Sequence, residues 1–163
     1  MSIGQSLLPE FDQEMATTRR VLERVPSDKG TWKPHPKSFA LGHLAQLVSW
    51  MPGWITSTLT TDFLDLTKVA GYSFETTETL LRGFDENVRG ARAALSAAQD
   101  PVFDRTWSLK RGDHVLWAAP VRIVARNHIS HLVHHRAQLA VYLRLLDLPV
   151  PAMYGPSADE RTF

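Results

Sequence analysis

Residues 120–146, PVRIVARNHISHLVHHRAQLAVYLRLL, decide the fold. Pro120 suits the first position of a helix, where the N–H it lacks is not needed and its fixed φ is already helical. The helix is predicted to run to about Leu146, with His131, His135, Gln138 and Tyr142 on one stripe. Working outward, Leu7, Leu8, Phe11, Met15, Thr18, Val21, Leu22 and Val25 recur at three- and four-residue spacing, predicting a helix over about 5–25 that Pro26 ends. A breaker-rich loop follows to Lys37, extended through Trp32-Lys-Pro-His-Pro36. Ser38 reads as the N-cap of a second helix over about 38–60, kinked at Pro52, with His43, Leu47, Trp50 and Trp54 on its inner stripe. Leu80, Leu81, Phe84, Val88, Ala91 and Leu95 predict a third helix over about 75–98, closed by Asp100-Pro101. Arg111-Gly112-Asp113 looks like a turn between two short extended pieces, so strands are expected only between Trp107 and Trp117. The tail from Leu148 to Phe163 should be extended and pack over the helices. The expected fold is all-α: an up-down four-helix bundle with a short irregular or hairpin insertion before the last helix, one domain over residues 1–163.

Composition narrows the function. The chain has 163 residues, 44% of them hydrophobic, enough for one continuous core. With 18 Lys and Arg against 17 Asp and Glu, it lacks the broad basic field of a nucleic-acid binder. Arg122, Arg126, Arg136 and Arg144 are read as a solvated face of the last helix. The absence of cysteine excludes thiolate metal sites, iron–sulfur clusters and a cysteine nucleophile. No basic start followed by an apolar run opens the chain, and the uncharged stretch 38–61 is too polar to span a bilayer. A cytoplasmic protein without a membrane partner is expected.

Seven histidines remain to carry the chemistry, four of them between His128 and His135. His131 and His135 stand one helical turn apart, about 40° around the axis, so their rings can reach a common ion. His134 points about 100° away. Two imidazoles leave most of a metal's coordination sphere open, so a third ligand must come from another helix. His43 is the best placed; His35 and His114 are weaker alternatives.

The run His131-Leu-Val-His-His-Arg-Ala-Gln138, the following Tyr142-Leu-Arg-Leu-Leu146 and the tail Pro149-Val-Pro-Ala-Met-Tyr-Gly-Pro-Ser-Ala-Asp-Glu160 resemble the DinB-like family of metalloenzymes. Trp32-Lys-Pro-His-Pro-Lys-Ser38 and Leu41-Gly42 match as well. The resemblance implies a four-helix bundle, often a homodimer, holding a divalent nickel, zinc, manganese or iron ion on three histidines. Family relatives include thiol transferases using low-molecular-weight thiols such as bacillithiol, and a mycothiol-dependent maleylpyruvate isomerase. Two of the family's ligands carry over to His131 and His135. The third falls on Leu47, with His43 one turn earlier.

Two functions follow. In the first, a metal on His43, His131 and His135 activates an external low-molecular-weight thiol for transfer to a small electrophile entering beside Trp50, Trp54 and Tyr142. In the second, the bundle is a non-catalytic, stress-linked binding protein whose third ligand is lost. A serine hydrolase lacks its Gly-x-Ser-x-Gly motif, and no glycine-rich phosphate loop is present.

Overall fold

The computed structural model describes residues 2–161, so the expectations for Met1, Thr162 and Phe163 lie outside the described residues. Helix α1 (Ile3–Leu22) starts two residues earlier than its apolar pattern, because Ser2 and Gln5 form a reciprocal capping box: the Gln5 amide donates to Ser2 Oγ and the Ser2 amide to Gln5 Oε1. Helix α2 (Leu41–Thr60) starts three residues later than expected, and Ser38 is not its cap. The Leu41 amide donates to the Trp32 carbonyl at 2.8 Å and the Gly42 amide to the Gly30 carbonyl at 2.9 Å. The proline loop therefore satisfies donors that a side-chain cap would otherwise take. Gly42 is required there, since a Cβ would stand 2.7 Å from the Phe74 ring.

Strand β1 (Phe63–Asp65) follows α2, then helix α3 (Thr77–Ala97), capped by Thr76 Oγ1. The pair Asp100-Pro101 does not simply close α3; it opens a short helix, α4 (Asp100–Asp104), whose Asp100 carboxylate accepts from the Ile3 amide. Strands β2 (Thr106–Arg111) and β3 (His114–Pro120) form an antiparallel hairpin around Gly112, which has φ 59°. The last helix, α5, spans Val121–Leu145.

The fold is mainly α, but all-α is corrected by a three-stranded sheet ordered β1-β2-β3. Its hairpin is the expected insertion. Strand β1, parallel to β2, lies outside the segment in which strands were expected. Asp65 ties the two parts together: its carboxylate accepts from the Gly112 and Thr67 amides, which hold it below the usual carboxylate range.

The core lies where α1, α2, α3 and α5 meet, around Phe11, Leu44, Met51, Phe84 and Leu132. Arg136, read from sequence as solvated, is inside it at 1% exposure. Its guanidinium pairs with Glu14 at 2.7 Å and donates to the Glu14 carbonyl, Thr18 Oγ1 and Tyr154 Oη. Tyr154 in turn donates to Glu14 at 2.8 Å. The tail thus packs over the bundle as expected, held also by Glu160 on Arg20 and on the Ala152 amide.

Candidate metal centre and its two recesses

Helix α5 positions the pair. His131 Nε2 and His135 Nε2 stand 2.9 Å apart. His135 Nδ1 lies 2.7 Å from Gln138 Oε1, and the Gln138 amide nitrogen lies 3.2 Å from His134 Nε2. The chain of bonds fixes the chemistry. Because an amide oxygen only accepts, Nδ1 of His135 carries the proton and Nε2 keeps its lone pair, the tautomer a metal ligand needs. Burial pushes both rings toward the neutral form: His131 is lowered by desolvation and then by His135 and His134, and His135 by desolvation and His134 against the opposing Gln138 bond.

Two nitrogens about 2.0–2.1 Å from one ion and at right angles stand about 2.9 Å apart, whereas a tetrahedral pair stands about 3.4 Å apart. His131 and His135 therefore fit two neighbouring positions of a six-coordinate ion, and tetrahedral zinc would require the rings to open slightly. The same separation suits an N–H···N hydrogen bond from His131 to His135.

His43 is not beside them as a ligand. Its ring is stacked between Phe39, centroids 4.4 Å apart, and Tyr72, centroids 3.8 Å apart, and Trp50 stacks on the far side of Tyr72. Desolvation and the Lys33 charge lower its pKa. Phe39 separates it from His135, whose ring centroid lies 6.4 Å from that of Phe39. Leu47, the position the family resemblance would give to the third ligand, is buried and apolar. Among the described residues no group of three His, Asp or Glu stands close enough to hold an ion. His35 and His114 are exposed on the proline loop and the hairpin.

His134, expected to point away, is joined to His135 through Gln138, with ring centroids 4.9 Å apart. A side chain four residues along bridges what helical angle alone separates. His128 lies deeper, its Nε2 3.1 Å from Thr58 Oγ1, and burial, aided by the His131 charge, pushes it down to about 4.

Two recesses flank the pair. His135 lines one of about 380 Å³ with Lys37, Ser38, Gln138 and Tyr142, whose hydroxyl donates to the Phe39 carbonyl. His131 lines the other, a cleft of about 460 Å³ between α2, α5 and the sheet. Trp54, one wall of that cleft, stands 5.9 Å from His131 between ring centroids. Sequence reasoning placed Trp50, Trp54 and Tyr142 beside the site; Trp54 and Tyr142 flank opposite sides of it, whereas Trp50 stacks on Tyr72 and lines neither recess. The sheet wall of the cleft escaped it, although Trp107, Leu109 and Trp117 were open to reading as one face of a hairpin.

No helix among the described residues is long and apolar enough to cross a membrane. None of the curated proteins searched matches the chain. Solved structures that resemble it in fold include two DinB-like proteins. A DinB-like protein from Bacillus cereus ATCC 10987 superposes with a TM-score of 0.72 at 24% identity, over 92% of this chain and 97% of that one. A DinB-like protein from Bacillus subtilis gives 0.71 at 14% identity, over 97% and 99%. The model of the DinB family matches residues 1–162, and with the paired histidines on the last helix of a DinB-like fold, the chain belongs to the DinB family.

Proposed function

We propose that this protein is a cytoplasmic, homodimeric enzyme that uses a divalent metal to transfer a low-molecular-weight thiol to a small electrophile. The observation that carries the reading is the convergence of two neutral imidazoles, His131 and His135, at 2.9 Å, with Gln138 presetting the tautomer of one. His43 would have to leave its aromatic stack to serve as third ligand, and a nickel, zinc, manganese or iron ion would suit such imidazole nitrogens. When bound, the metal would lower the pKa of a coordinated thiol or water and so supply a nucleophile at neutral pH. The chain supplies the rest. Gln138 orients His135, His131 faces the apolar cleft, and Lys37 and Ser38 line the opposite recess, suited to a polar thiol. With no cysteine in the chain, the sulfur must arrive as a cosubstrate. The exposed apolar residues Ile123, Val141 and Leu145 on α5 support self-association.

The test is turnover with a panel of thiols and electrophiles. A rate that requires both metal and thiol, is abolished by a chelator and is lost in His135→Ala supports the reading; no metal-dependent rate from folded protein overturns it.

A second reading has its own observation. With His43 clamped between Phe39 and Tyr72 and Leu47 buried, the pair satisfies itself by hydrogen bonding, and the bundle binds a small molecule without catalysis. Ligand binding without metal uptake is its signature.

A further inference from the structure

The cleft on the His131 side has a one-sided chemistry. On the hairpin, Trp107 pairs with Ala119 and Leu109 with Trp117, so Trp107, Leu109 and Trp117 share the face that forms one wall. Trp54 of α2 and Leu64 of β1 extend it, and its polar groups are uncharged ones: Ser57 of α2, Tyr72, and, at the α5 end, Asn127, His128 and His131. Among the described residues no Lys, Arg, Asp or Glu lines the cleft. His128 does not act as a cation there, because its burial holds it neutral at pH 7.

Walls of this kind discriminate by charge. A carboxylate or phosphate placed here would lose hydration with no cation to pair with. An uncharged ring would stack on indoles and bury apolar area instead. A volume of about 460 Å³ falls within the range of small-molecule pockets and leaves room for a bicyclic ring. The indole N–H of Trp107 is buried behind this wall and has no acceptor among the described residues.

We infer that this cleft binds an uncharged, flat aromatic molecule carrying at most a hydroxyl or carbonyl oxygen at the His131 end. This deepens the proposed function by naming the class of the electrophile, and rests on that function only for what happens to the molecule once bound. It also sets the two recesses apart, an uncharged aromatic partner on the His131 side and a polar one beside Lys37.

The experiment uses the full chain with a chelator present, so that it reads the cleft without any metal. With 2-naphthol as probe, the ¹⁵N–H indole signals of Trp54, Trp107 and Trp117 should shift saturably, while that of Trp32, packed edge-on against Tyr142, should not. 2-Naphthoate, of similar size with a carboxylate, should bind at least tenfold more weakly. Trp117→Ala should weaken 2-naphthol at least tenfold. Should that variant fail to fold, Val69→Asp, at a lining position 40% exposed, places a charge at the cleft and should weaken 2-naphthoate further. No saturable shift, shifts centred on Trp32, or equal binding of the anion would overturn the assignment. A metal-dependent rate with no naphthol binding would reject this inference and keep the proposed function; binding without metal uptake would do the reverse.

Discussion

Replacing Arg136 by Met leaves Glu14 as a buried carboxylate at 6% exposure with its one cationic partner among the described residues gone. The substitution also removes the donors to the Glu14 carbonyl, Thr18 Oγ1 and Tyr154 Oη, which link α1, α5 and the tail. Breaking one partner of a buried pair costs about 3–5 kcal/mol, because the other charge must be desolvated alone or protonated. Met roughly matches the volume, so little of that cost comes from a cavity. The double variant Arg136→Met, Glu14→Met removes both charges and should recover most of the loss, to within about 1 kcal/mol of wild type. Urea denaturation followed by circular dichroism reads both. A single variant within about 1 kcal/mol of wild type, or a double variant as unstable as the single, would refute the reasoning.

Three further outcomes follow from the same structure. His128 is held at about 4 in the fold against 6.5 unfolded, so the unfolded chain binds the extra proton first: its contribution to stability is complete above about pH 6.5, falls as the pH drops toward 4, and at 1.36 kcal/mol per unit loses up to about 3 kcal/mol, a share that His128→Asn should remove from the pH dependence of denaturation, leaving the smaller shares of His43, His131 and His135. Gly42→Ala should cost about 1–3 kcal/mol, because the new Cβ meets Cβ, Cγ and Cδ1 of Phe74 within 2.8 Å; an unchanged thermal midpoint would contradict that packing. Leu47→His places an imidazole on the face of α2 between His43 and Trp54 and should tighten metal binding at least tenfold in calorimetric titration, even with His43→Ala; no gain would mean that α2 does not present this position to the pair.

The four long helices and the His131–His135 pair were legible because both follow from the 3.6-residue period, a property of neighbours in sequence. What was not legible depends on distant partners. Strand β1 is three residues long and exists through pairing with β2, some forty residues on. The start of α2 moved because carbonyls of Gly30 and Trp32 took its first amides. Arg136 is charged like a solvated residue, and its partners Glu14, Thr18 and Tyr154, from the first helix and the tail, are far from it in sequence. His43 lies on the predicted stripe, yet Phe39 and Tyr72, both outside its helix, decide where its ring sits. His134 became coupled to the site through Gln138, so a clean control for the pair is His114, exposed on β3.

The central claim is that His131 and His135 hold a divalent ion, and the thermal midpoint of purified protein stripped of metal and titrated with nickel or manganese tests it most directly. Free metal at about a hundred times its dissociation constant should stabilise the fold by about 2.7 kcal/mol, raising the midpoint by about 5–10 °C. His135→Ala should abolish the rise and His114→Ala should leave it intact. A wild-type midpoint that ignores the metal, or a rise that survives His135→Ala, would contradict the account.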